Sequence, residues 1–250
     1  EFELTVSPVD SEGRLVYKDL TVDNFDFSTL WLYPVNEPNN KITDGFVTSK
    51  EIEIKLPQDT SGNVSIALLL DSTGSMGSHD PNRLRVTAAQ GLVDKLKEGD
   101  LATVMDFGAG YTAPYAYTRM LQPFTSNKTL LNSALDQVTE SGGTPLYSSL
   151  LETLSYIASQ QVANPTIVVL SDGESNEGES NVNVVIQAAK QAGVKVFGVG
   201  LGDGVDFTQL QALTSQTGGT FAFAQDATQL AQLYENVGIA ASAGMVKVHA

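Results

Sequence analysis

Three oxygen-bearing side chains, Asp71, Thr73 and Ser75, occupy alternate positions directly after the unbroken apolar run Ile66, Ala67, Leu68, Leu69 and Leu70. A carboxylate followed by two hydroxyls suits a hard divalent cation such as Mg2+, which takes oxygen ligands, one or two carboxylates and retained water. Gly74 and Gly77 are expected to let the chain fold tightly around these positions. Two further oxygen clusters follow. Ser141-Gly142-Gly143-Thr144-Pro145 precedes a helical pattern, with Pro145 suited to the first helical position and Thr144 to the N-cap, where its hydroxyl caps the helix or reaches a metal. Asp172, in Ser171-Asp172-Gly173, closes a second apolar run, Thr166–Leu170, as Asp71 closes the first. Taken singly, Asp71 reads as a strand-end carboxylate on backbone N–H groups and Thr144 as a plain cap. Five such residues in register point to one site.

The elements that must position these residues alternate. The apolar run at 64–70 lacks period-2 alternation and reads as a strand buried on both faces, as in a parallel sheet. Helical spacing appears over 83–97, 125–138 (with Ser126-Asn127 as cap), 145–157, 181–192, 207–217 and 227–237; strands are expected at 101–107, 166–170, 194–199 and 220–224. Alternation of this kind predicts an α/β fold, a doubly wound and mostly parallel sheet with right-handed crossovers. If the strands ending in Asp71 and Asp172 are neighbours, Asp71, Thr73, Ser75, Thr144 and Asp172 converge at the carboxyl edge, where open α/β sheets bind ligands. Residues 1–62 read differently: Phe2, Leu4 and Val6, and later Ile52, Ile54 and Leu56, alternate with polar residues around the turn Asp10–Gly13. The expected organisation is a small β-domain at 1–62, the α/β domain at 63–240, and a tail at 241–250 whose strand-like alternation returns to the β-domain.

The 250 residues carry 14 Lys and Arg against 29 Asp and Glu, a formal charge of −15. The excess acid is spread, with five basic against twelve acidic residues in 1–62 and nine against seventeen beyond. Such a surface attracts cations and basic partners and argues against nucleic acid and anionic membranes. The plainer alternative is that the charge serves solubility. No cysteine is present, so neither disulfides nor thiolate metal sites arise. No apolar run approaches the roughly 20 residues that span a bilayer. No signal-peptide pattern is visible, and Glu1-Phe2 reads as a remnant of cloning, so the natural ends are expected to lie beyond this sequence.

With Asp71-x-Thr73-x-Ser75, Thr144 in GGTP and Asp172 in SDGE, the stretch from Val64 to Val237 resembles a von Willebrand factor A domain. GDLATVMDF at 99–107, AGVKVFGVGLG at 192–202 and TGGTFAFA at 217–224 extend the likeness. The family formula is DxSxS; here Thr73 replaces the first Ser and keeps the hydroxyl. The resemblance implies a metal-ion-dependent adhesion site with Asp71, Thr73, Ser75, Thr144 and Asp172 as ligands. It implies Mg2+ as the cation, with Mn2+ or Ca2+ as alternatives, and a protein partner whose Glu or Asp carboxylate completes the shell. Met76, Ser78, His79, Gly143 and Glu174 are expected around that position by adjacency, although a solvated loop is the plainer reading of His79. VDSEGRLVYKDLTVDNFDF is loosely similar to β-domains placed before A-domains of exported bacterial proteins, which implies an extracellular or cell-surface setting.

Enzymatic patterns fail. Asp203 breaks GxGxxG after Gly198 and Gly200, and neither a P-loop nor a GxSxG elbow occurs. Metal-assisted hydrolysis would need a base near the cation, for which Glu174 is the candidate, but an exposed loop carboxylate is the simpler reading. The acidic loop Asp172–Glu179 lacks EF-hand spacing and reads as solvated. The expectation is a non-enzymatic binding module; the alternative is a cytoplasmic scaffold or chaperone subunit acting beside an ATPase in complex assembly or metal insertion.

Overall fold

The structure, a computed structural model, describes residues 3–5, 63–108, 110–173, 175–201, 207–224, 227–230 and 247–249. The chain divides into two compact units, 1–59 with 243–250, and 60–242. In the first, β1 (Glu3–Thr5) pairs antiparallel with the strand Lys247–His249, Glu3 opposite His249. The remainder of the expected β-domain, including the VDSEGRLVYKDLTVDNFDF segment, lies outside the described residues.

The second unit is the doubly wound α/β fold. Its strands are β2 (Ser65–Asp71), β3 (Leu101–Phe107), β4 (Arg119–Thr125), β5 (Pro165–Ser171), β6 (Lys195–Leu201) and β7 (Phe221–Ala224), in spatial order β4-β3-β2-β5-β6-β7. All neighbours run parallel except β4, which is antiparallel to β3. Every residue of β2 is buried, because helices cover both faces. Ile66, Leu68 and Leu70 pack into one layer with α2 (Leu84–Asp94) and α3 (Lys128–Leu135). Ala67 and Leu69 pack into the other with α4 (Leu146–Gln160), α5 (Val182–Ala192) and α6 (Phe207–Thr217). Each fully buried Leu contributes roughly 1.5–3 kcal/mol, so β2 anchors the sheet through its centre.

Caps explain several boundaries. Asn127 Oδ1 accepts from the N–H groups of Thr129 and Leu130, and Asn181 Oδ1 from that of Asn183, fixing the starts of α3 and α5. The antiparallel edge strand β4 was not expected. It is only half-buried, its pattern RMLQPFT gives no clean alternation, and it contains Pro123, which an edge strand tolerates. Of the expected closing helix, the described part is a 3₁₀ turn, Ala227–Gln229, and Leu230; the rest lies outside the described residues.

This topology dictates where a ligand binds. From β2 the chain moves to β3 on one side, and from β5 to β6 on the other, so the crevice between β2 and β5 is the topological switch point. Asp71 is the last residue of β2, and Asp172 follows the last residue of β5.

Candidate metal centre

Three loops meet above that crevice. The first runs from Asp71 into α1 (Met76–His79), a single turn with Ser75 at its N-cap. It is tied to the second, 140–145, by Ser141 N–H donating to the Ser72 carbonyl at 2.8 Å and Gly74 N–H to the Gly142 carbonyl at 3.2 Å. Gly74 and Gly77, expected to provide the tight turn, do not have positive φ; Gly108 and Gly142 carry that demand at φ +105° and +78°. A Cβ at Gly108 would lie 2.8 Å from the Thr73 nitrogen, and one at Gly142 would run into the Gly108 carbonyl oxygen. Only glycine lets the three backbones approach this closely.

Asp71 is fully buried. Its Oδ1 accepts from Thr73 N–H at 2.8 Å, and its Oδ2 from the Ser171 hydroxyl at 2.9 Å and Asp172 N–H at 3.3 Å. Burial, and then the negative charge of Asp172, push its carboxyl up to about 6 despite these donors. In the cation-free protein, the stability carried by protonated Asp71 is therefore fully present below the ordinary value of 3.8 and lost as pH rises through about 6. A positive charge placed here would offset the burial of the Asp71 carboxyl and the negative charge of Asp172 beside it.

Thr73 Oγ1 lies 3.0 Å from Ser75 Oγ, and the Ser75 hydroxyl donates to Asp172 Oδ1 at 2.8 Å. Both separations are ordinary hydrogen-bond distances, and oxygens held this far apart, about 2.9 Å, can also serve as adjacent ligands of an octahedral ion. Thr144 differs from expectation: α4 begins at Leu146 with Pro145 at the N-cap and no side-chain cap, so the Thr144 hydroxyl caps nothing. The residue is 5% exposed, and its hydroxyl makes no hydrogen bond among the described residues and stands near Gly173, beside the Asp172 segment. The structure thus brings Asp71, Thr73, Ser75 and Asp172 into one hydrogen-bonded set, with the Thr144 hydroxyl uncommitted alongside.

Of the expected surrounding residues, Ser78 and His79 are exposed at the rim and Gly143 is half-buried, whereas Glu174 lies outside the described residues. Met76 is corrected: its side chain is fully buried in the layer with α2 and α3, because the α1 turn directs it into the apolar core. The acidic loop after Asp172 is not merely solvated. Asn176 clamps Thr144 from both sides, accepting from its N–H at 2.8 Å and donating to its carbonyl at 3.0 Å, while Glu179 N–H donates to the Ser148 hydroxyl. The Glu177 carboxylate lies against Gly143.

Beneath the centre lie largely buried ion pairs. Arg85, with no exposed surface, donates from Nε to the Asp71 carbonyl at 3.0 Å, from Nη1 to Asp80 Oδ2 at 2.9 Å and from Nη2 to Glu140 Oε1 at 2.6 Å. It joins the end of β2, the loop after α1 and the second loop, 140–145. On the other side the Ser72 hydroxyl donates to buried Asp106 at 2.9 Å, and Arg119 grips both Asp106 oxygens. These supports were not anticipated; an Arg or Asp inside a helical or strand pattern is ordinarily placed facing solvent.

A doubly wound α/β domain with three oxygen-rich loops at its switch point defines a class of ligand-binding domain. The chain matches the von Willebrand factor type A domain over residues 65–236 and belongs to that family. Domains of this family generally mediate protein–protein interaction and adhesion. The collagen α-1(VI) chain of Mus musculus is 26% identical over 198 residues, 70% of this chain and 19% of that protein. An uncharacterized protein of Borreliella burgdorferi is 25% identical over 186 residues, 71% of this chain and 53% of that one. This chain therefore spans about half, or much less, of these relatives' length. Among solved structures, proximal thread matrix protein 1 of the mussel byssus, with a zinc-occupied MIDAS motif, aligns with a TM-score of 0.62 at 20% identity over 76% of this chain and 48% of that one. A von Willebrand factor type A protein from Catenulispora acidiphila gives 0.60 at 20% identity over 72% and 42%. At this identity the structural likeness establishes the fold.

Proposed function

We propose that this chain is a non-enzymatic, metal-dependent protein-binding module in which Asp71, Thr73, Ser75, Thr144 and Asp172 hold a divalent cation. When bound, the cation supplies an electrophilic seat for a Glu or Asp carboxylate of a protein partner. The observation that carries this reading is the Thr73–Ser75–Asp172 oxygen chain, spaced 3.0 and 2.8 Å, at the switch point. A cation there offsets the burial of Asp71 beside the Asp172 charge, and in a chain of net charge −15 a bridging ion lets an acidic partner approach. Mg2+ fits the oxygen set best, with Mn2+ and Ca2+ next; the zinc-occupied motif of the mussel protein supports the same position for a divalent ion. No helix among the described residues is long and apolar enough to cross a membrane. The likeness to extracellular-matrix collagen supports action at a cell surface or outside the cell.

The test is retention of this chain on immobilised surface and matrix proteins in Mg2+ or Mn2+. Binding released by EDTA, and absent in Thr144→Ala, is the expected result; binding indifferent to both contradicts the reading. A pH dependence follows from Asp71. Its proton must leave before it ligates, so with a pKa of about 6, cation affinity at pH 5 is expected to be about tenfold lower than at pH 7. Isothermal titration at the two pH values measures it.

A further inference from the structure

Ser75 and His79 stand four residues apart across the single turn of α1, and a separation of four puts both side chains on one helix face. Both reach the same carboxylate. The Ser75 hydroxyl lies 2.8 Å from Asp172 Oδ1, and His79 Nδ1 lies 2.9 Å from Asp172 Oδ2. The Asp172 side chain is fully buried, while 43% of the His79 side chain is exposed, so the imidazole closes the centre from the solvent side. This contact is absent from the reading of His79 as a solvated loop residue.

We propose that His79 belongs to the cation site itself and supplies it with a nitrogen donor. The inference rests on the metal-site reading above and sharpens it, because a nitrogen changes which ions the site prefers. An all-oxygen set suits Mg2+ and Ca2+; an added imidazole moves preference toward Zn2+, Ni2+ and Cu2+, for which nitrogen is a good ligand. The side chain's partial exposure leaves room for the ring to turn from Asp172 toward an ion beside it. Its place at the end of a one-turn helix makes that motion independent of the sheet. Asp172 would then keep Oδ1 toward Ser75 and lose only its outward partner. The result is a centre of mixed character, with hydroxyls and carboxylates inside and an imidazole at the rim.

The test uses the full chain and the metals alone. Zn2+ and Mg2+ affinities are measured by isothermal titration for wild type, His79→Gln and Asp71→Ala. Pulsed electron paramagnetic resonance of bound Mn2+ or Cu2+ then reports directly coordinated 14N. The expected result is a Zn2+-over-Mg2+ preference that falls about 10–100-fold in His79→Gln, with a 14N coupling that disappears in the same variant. The metal-free melting temperature of His79→Gln is measured alongside, and a loss confined to Zn2+ with Mg2+ affinity kept separates ligation from a folding effect, which would weaken both ions alike. Equal Zn2+-to-Mg2+ ratios in wild type and His79→Gln, with no 14N coupling lost, overturn the assignment of His79 and leave the oxygen site standing. Failure of every ion to bind wild type overturns both.

Discussion

Arg85→Met is expected to cost about 3–5 kcal/mol of stability, the largest loss of any single substitution considered for this domain. The substitution keeps most of the volume and removes the charge. It leaves the Asp80 carboxylate, which has no exposed surface, without its guanidinium partner, although the Leu84 and Arg85 N–H groups still donate to it at 2.7 and 3.0 Å. It also removes a donor from the Asp71 carbonyl and one from Glu140. For a domain of this size each kcal/mol moves the melting temperature by about 2–4 °C, so the expected fall is about 6–20 °C. Urea unfolding in EDTA measures the change without any contribution from bound cation. Asp80→Asn in the Arg85→Met background removes the stranded charge and is expected to recover part of the loss. Purely additive destabilisation would show that the ion network is not what the guanidinium maintains.

Gly142→Ala is the second large effect. At φ +78° an alanine is strained, and its methyl group has the Gly108 carbonyl oxygen in its way. Strain of this kind costs about 1–3 kcal/mol where the surrounding structure holds the conformation, and the clash adds to it. The loop has one way to yield, which is to move away from Gly108 and carry Thr144 with it. Cation affinity is therefore expected to fall by about 10–100-fold, the range seen when groups that position ligands are lost. Gly91→Ala is the matched control. Gly91 sits exposed in α2 with nothing within 4 Å of an added Cβ, and the exchange should stabilise by about 0.5–1 kcal/mol while leaving metal binding unchanged. Equal effects at the two glycines would refute the close approach of the loops.

The architecture was legible because its signals are strong and local. The unbroken apolar runs ending at Asp71 and Ser171 have no other comfortable home than a sheet covered on both faces, and Asn127 and Asn181 mark helix starts by their own chemistry. The loops at the carboxyl edge were legible for the same reason: oxygen at alternate positions after a buried strand is visible in one line of sequence. The supports beneath were not. Arg85 lies at the start of a helix, where an arginine normally faces water, and only tertiary packing against Asp80, Glu140 and the Asp71 carbonyl turns it inward. Asp106 sits in a strand whose alternation says nothing about its grip on Ser72 and Arg119. Pro145 suggested a helix one residue longer than it is, and that residue decides whether Thr144 is the N-cap; its hydroxyl makes no capping bond among the described residues. Asn176 could be found only by knowing that the acidic loop folds back over GGTP. The pairing of Ser75 with His79 was written in the sequence as a spacing of four, but only once the residues after Ser75 are recognised as one helical turn.

The central claim is that the three loops form a working cation site, and thermal unfolding of wild type and Asp71→Ala in EDTA, Mg2+, Mn2+, Ca2+ or Zn2+ tests it most directly. A cation at about 100 times its Kd stabilises the native state by about 2.7 kcal/mol, which corresponds to a rise of about 5–11 °C for a domain of this size. Wild type is expected to gain that much with at least one of the four ions and to lose it on adding EDTA. Asp71→Ala is expected to show no response. If wild type and Asp71→Ala melt alike in every ion at millimolar concentration, the fold stands and the metal-dependent binding function does not.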